Sequence, residues 1–183
     1  MKHILNPIYF LSLALVLFSC KKDDDTPGAG GNNEETELIT TVRVVLTDNA
    51  GGVSTFSFAD TDGVGGNDPV IDTIKLDFDK APYTGSLQFL DESGENAVDI
   101  TEEVESEGTE HIVCYTPSTG ALSIAITDKD ANNLALGLKT SWTLSDAGSG
   151  DLRIRLKHQP GSKNGTCNPG ATDVDLSFPL EIN

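Results

Sequence analysis

Apolar and polar residues alternate with period two through most of residues 37–183, the pattern of strands with one buried face. Leu38, Thr40, Val42, Val44 and Leu46 share one side of a first strand, and Phe56 and Phe58 one side of a second. Ile74, Leu76 and Phe78 form a third set against Lys75 and Asp77, and Leu87 with Phe89 marks a fourth. Leu122, Ile124 and Ile126 alternate with Ser123, Ala125 and Thr127. Leu134, Leu136, Leu138, Trp142 and Leu144 alternate with smaller or polar partners, and Leu152, Ile154 and Leu156 with Arg153, Arg155 and Lys157. Val174, Leu176, Phe178, Leu180 and Ile182 close the series. Turn formers punctuate the runs: Asn49-Ala50-Gly51-Gly52, the loop from Asp60 to Asp68, Ser118-Thr119-Gly120 and Gly148-Ser149-Gly150. About nine strands at this spacing predict an all-β fold, an antiparallel β-sandwich that is Ig-like or jelly-roll-like. One polar face per strand suits antiparallel packing rather than a buried parallel sheet. One short helix is predicted over Ile100–Glu105, with Asp99 as its cap and glutamates in its first turn.

The first residues follow a different pattern. Met1-Lys2-His3 is a short positive segment, Ile8 to Phe18 an apolar run, and small Ser19 precedes Cys20. This order is that of a secretory signal, and the run is too short to span a bilayer as a helix. Leu17-Phe18-Ser19-Cys20 resembles a bacterial lipobox, with Phe18 bulkier than usual at its position. The resemblance implies that Cys20 is diacylated, that residues 1–19 are cut away, and that the new amine is acylated. Burial of several acyl chains, at about 0.8 kcal/mol per CH₂, would make such an anchor stable. Lys21-Lys22-Asp23-Asp24-Asp25 is similar to the export signal of Bacteroidota surface lipoproteins, which implies lipid-anchored display on the outer face of the outer membrane. The plainer reading of the same residues is a solvated charged tether. Gly, Asn and Glu dominate the stretch that follows, which cannot build a core. The expected organisation is a signal peptide over 1–19, an acylated cysteine and tether over 20–36, and one sandwich domain over 37–183.

Composition narrows the function. The chain of 183 residues carries 29 Asp+Glu against 12 Lys+Arg, a net charge of −17. Phosphate contacts need the opposite balance, so nucleic-acid partners are not expected. The runs Asp99-Ile100-Thr101-Glu102-Glu103, Asp60-Thr61-Asp62-Gly63-Val64-Gly65-Gly66 and Lys157-His158-Gln159-Pro160 resemble a family of small Bacteroidota lipoproteins of unsettled function. The periplasmic-binding fold attached to that family needs alternating βα units and does not suit this chain. The resemblance therefore implies location and general type, not an activity.

Several constellations offer chemistry. With Cys20 acylated, Cys114 and Cys167 remain. In an oxidising compartment such a pair fits a disulfide closing a long loop; two separate thiols are the alternative. Asp60, Asp62 and Asp68 could supply carboxylates to calcium on a glycine-rich turn. The loop fails the EF-hand pattern, with Val64 at the third acidic position and Ile71 where the glutamate belongs, and a plain connection explains it as well. Asp128 to Asn133 reads as a hairpin turn with Asn and Asp at positive φ rather than a metal loop.

His158 has the parity of Leu152, Ile154 and Leu156, and His111 that of Val113 and Tyr115. Two inward histidines at one sheet end could share a transition metal such as zinc or copper, with Glu110 as an outlying ligand. Two hydrogen-bonded boundary histidines are the plainer reading, because a structural site normally takes four ligands. Arg153, Arg155 and Lys157 form a basic stripe suited to an anion or acidic glycan, or to pairing with Asp173 and Asp175 across a hairpin. Trp142 and Tyr115 could stack on a sugar, although Trp142 follows the core parity. Asp72-Thr73-Ile74 resembles a Bacteroidota O-glycosylation motif. There is no nucleophile elbow and no phosphate loop between a strand and a helix. Many acids are present, but none is singled out as a glycosidase pair.

These observations lead to a non-catalytic binding or structural lipoprotein of the cell surface, with no certain cofactor. The alternative is a ligand- or metal-capturing accessory of an outer-membrane transporter, and an enzyme acting on surface glycan stands third.

Overall fold

The computed structural model describes residues 38–63 and 65–183. The signal, Cys20, the Lys21–Asp25 segment, the tether and Val64 lie outside the described residues. Eleven strands form two sheets. The chain runs through β1 (Thr41–Thr47), β2 (Val53–Ala59), β3 (Val70–Ile71), β4 (Ile74–Leu76), β5 (Tyr83–Asp91) and β6 (Val98–Asp99). Helix α1 (Thr101–Ser106) is followed by β7 (His111–Pro117), β8 (Leu122–Ile126), β9 (Lys139–Leu144), β10 (Gly148–His158) and β11 (Ala171–Ile182). The larger sheet runs β3-β2-β1-β5-β9-β8, with β6 beside β5, and the smaller runs β4-β11-β10-β7. The protein is thus an all-β sandwich, as the alternation predicts.

The alternating residues become the core. Val42, Val44, Leu46, Leu87 and Phe89 from the larger sheet face Leu152, Ile154, Leu156, Val174 and Phe178 from the smaller, all buried. Removing each of these side chains from water contributes on the order of 1.5–3 kcal/mol. Phe58 meets Phe178 edge-on, their centroids 6.4 Å apart, a preferred aromatic geometry. Trp142 lies in the core with its Nε1 donating to Thr140 Oγ1 at 2.7 Å, so its ring is no platform for a sugar.

The structure departs from the sequence expectation in four places. First, the strand count rises because β3 and β6 are two-residue pairings too short to show a period. Second, β4 pairs with β11 in parallel, Leu180 opposite Ile74 and Ile182 opposite Leu76, inside an otherwise antiparallel fold. Third, the run from Leu134 to Leu144 is a strand only from Lys139. The Asp128 carboxylate accepts the amides of Gly137, Leu138 and Lys139 at 2.8–3.0 Å and bends the preceding segment away. Fourth, α1 begins one residue late. Ile100 takes the cap position while Asp99, drawn into β6, receives the Thr101 amide at 2.9 Å. Leu38 and Phe78 also leave the core sets predicted for them, Leu38 being 58% exposed and Phe78 sitting in a 3-10 turn.

Candidate metal centre

One end of the smaller sheet gathers the chemistry. The register of β7 against β10 places His111 directly opposite His158. Their rings stack at 4.7 Å between centroids, 12° from parallel. His111 is fully buried and His158 only 7% exposed. The pairing of β10 with β11 shifts register between Leu156 and Lys157, and at this end both Lys157 and His158 are buried. Gly170, just before β11, packs closely against the backbone of His158. Its φ of +81° is left-handed, and a Cβ there would overlap the His158 carbonyl oxygen.

Two glutamates border the pair. His158 Nε2 lies 3.4 Å from Glu110 Oε2. His111 Nδ1 faces the backbone carbonyl of Glu107 at 3.3 Å. A carbonyl only accepts, so Nδ1 is the donor in this contact. Among the described residues, Glu107, His111 and His158 form the one donor group whose ligand atoms lie within 4.8 Å of one another. The expected pair is therefore brought together, and Glu107 joins it. Glu107 escaped the sequence reading because it lies beyond the predicted helix. Its spacing of four from His111 was the available signal, since the turn after α1 folds residue 107 back under 111.

The loop 159–170 holds this end closed. Gln159 is buried, and its Nε2 donates to the carbonyls of Thr166 and Pro169, each at 2.9 Å. Cys167 is bonded to Cys114 on β7, as the cysteine parity suggested. Lys163 reaches inward to Asp130 at 2.7 Å and donates to the Gly108 carbonyl at 2.7 Å. The side chains of Lys163 and Asp130 are 2% and 0% exposed. Burial raises the Asp130 pKa, but Lys163 and the amides of Leu134 and Asn132 overcome it and hold the carboxyl below its ordinary value.

The other candidates are placed elsewhere. Asp60, Asp62 and Asp68 do not come together as a donor group. The Asp62 carboxylate accepts from the Asn67 amide and side chain, which lowers its pKa and organises the turn. Of the basic stripe, Arg153 grips Asp175 through two hydrogen bonds, of 2.7 and 2.5 Å, which lowers the Asp175 pKa. Lys157 is buried against the Gly170 carbonyl and Thr172 Oγ1. The three cations all act on Asp175 but do not form one exposed row, because Lys157 is covered by the start of β11. Tyr115 is spent as a donor to the Gly137 carbonyl at 2.6 Å, and burial, with Asp128 nearby, holds its phenol well above the ordinary range. Asn133 takes the turn φ of +64°, as expected for Asp128–Asn133. The Asp72 carboxylate accepts the Ser57 amide.

Compared with protein-family models, with characterised proteins and with solved structures, the chain has no significant match.

Proposed function

We propose that this chain is a lipid-anchored surface protein whose β-sandwich serves binding rather than catalysis. The observation that carries the reading is the sequence from Ile8 to Asp25, an apolar segment running into Leu17-Phe18-Ser19-Cys20 and then into a basic and acidic cluster. The large acidic excess supports a domain that stays soluble beside an anionic surface. The protein carrying Cys20→Ala is expected to move from the outer-membrane fraction to the soluble fraction, and protease added to intact cells is expected to remove the wild-type domain. Equal retention of both proteins in membranes would overturn the anchor, and full protection from protease would overturn surface display.

A second reading, capture of a ligand for an outer-membrane transporter, is favoured by the convergence of Glu107, His111 and His158 at one sheet end.

A further inference from the structure

We infer that Glu107, His111 and His158 bind one divalent first-row transition-metal ion, with Glu110 orienting His158 from outside the ligand set. The inference deepens the capture reading and rests on it only for the ion's destination. Binding itself is independent of any transporter.

The donor chemistry selects the ion class. Two imidazoles and a carboxylate suit zinc, copper or nickel, whereas calcium and magnesium prefer all-oxygen sites. Among the described residues no thiolate competes, because Cys114 and Cys167 are bonded to each other. The backbone and Glu110 already supply the outer contacts that metal-bound histidines need. His111 is fixed by the Glu107 carbonyl, and His158 faces the Glu110 carboxylate. Glu107 is exposed while both histidines are buried. The ion therefore has an entrance at the carboxylate, and water can complete its coordination there. This is an open site of three protein ligands rather than a closed structural one.

The stacked rings set a condition. A metal sits about 2.0–2.1 Å from each imidazole nitrogen, near the plane of the ring. Two rings 12° from parallel and 4.7 Å apart cannot both aim at one point in their own planes. One ring must tilt as the ion enters. His158, at the end of β10 and 7% exposed, has more room than fully buried His111. Binding therefore breaks the stack through His158.

The test is zinc titration of the full chain in detergent, followed by calorimetry and by NMR of the histidine rings. Copper and nickel serve as further probes. Expected are one zinc per chain, a zinc-dependent rise in melting temperature, and a larger shift of the His158 ring signals than of His111. Glu107→Gln should weaken zinc at least tenfold while leaving the metal-free melting temperature unchanged, because the side chain is exposed. Glu110→Gln should weaken it by about 10–100-fold, the usual cost of losing an orienting partner. His158→Gln covers the case in which His111→Ala fails to fold. Absence of stoichiometric binding by all three ions, or affinity unchanged in Glu107→Gln and His158→Gln, overturns the site. Intact binding with unchanged metal uptake by cells lacking the protein overturns the capture reading alone.

Discussion

Lys163→Met should destabilise the domain by about 3–5 kcal/mol at neutral pH, the usual consequence of stranding one partner of a buried ion pair. The lysine enters from the loop after β10, and Asp130 from the turn before β9. Lys163 Nζ also satisfies the Gly108 carbonyl at the end of α1. One ammonium thus joins three segments that share no strand pairing. Without it the Asp130 carboxylate keeps the Asn132 and Leu134 amides but loses its counter-ion. The pH dependence distinguishes this account from a loss of packing. In the wild-type protein the Asp130 pKa lies below 3.8, so its contribution is complete above that value. It disappears as pH falls through the folded pKa. The gap between wild type and variant should therefore be widest near neutrality and narrow in acid, where a protonated Asp130 needs no ammonium. Denaturant unfolding at several pH values measures both. A gap independent of pH would place the effect in the lost bond to the Gly108 carbonyl rather than in the ion pair. The double variant Asp130→Asn/Lys163→Met should recover much of the loss, since it leaves no unpaired charge and only the Gly108 carbonyl without its donor.

Replacing Cys114 and Cys167 together by alanine should cost about 4 kcal/mol in the chain-entropy model of a long closed loop. The two cysteines are 53 positions apart. For a domain of this size the melting temperature should fall by roughly 10 °C. The loss should not be evenly spread. The bond fastens loop 159–170 to β7 three residues from His111, and the same loop carries Lys163 and Gln159. Hydrogen exchange in the double variant should therefore rise first across residues 159–170 and around Gly108. Uniform acceleration across both sheets would instead place the effect in the unfolded state alone. If the loop loosens as expected, zinc affinity should fall with it although neither cysteine is a ligand.

The fold was legible wherever one strand face meets the core over several residues. Val42, Val44 and Leu46, or Leu152, Ile154 and Leu156, give their positions away because burial forces the alternation. It was illegible where something other than the period decides. Asp128 ends a run of alternating leucines by capturing three successive amides, and no hydrophobic pattern reports a carboxylate doing so. The parallel β4–β11 pair joins segments a hundred residues apart by register, which single-strand patterns do not contain. At the candidate site the same division holds. The two histidines were visible through the parity of their strands. The register shift beside His158 and the cover over Lys157 come from β11 and the residues just before it, which the pattern of β10 does not contain. The pairing of Lys163 with Asp130 leaves no mark on the sequence around either residue, since each stands in a polar loop.

The position of β11 bears on how the molecule is made. It lies in the interior of the smaller sheet, between β4 and β10, and supplies Val174, Leu176, Phe178, Leu180 and Ile182 to the core. A chain leaving the ribosome has every strand of the larger sheet before this one appears. Until residues 171–182 emerge, β4 has no neighbour in the smaller sheet, and Ile74 and Leu76 have no sheet to lie in. Assembly of the sandwich is therefore held back until residues 171–182 are made, and its many distant pairings make the closure slow.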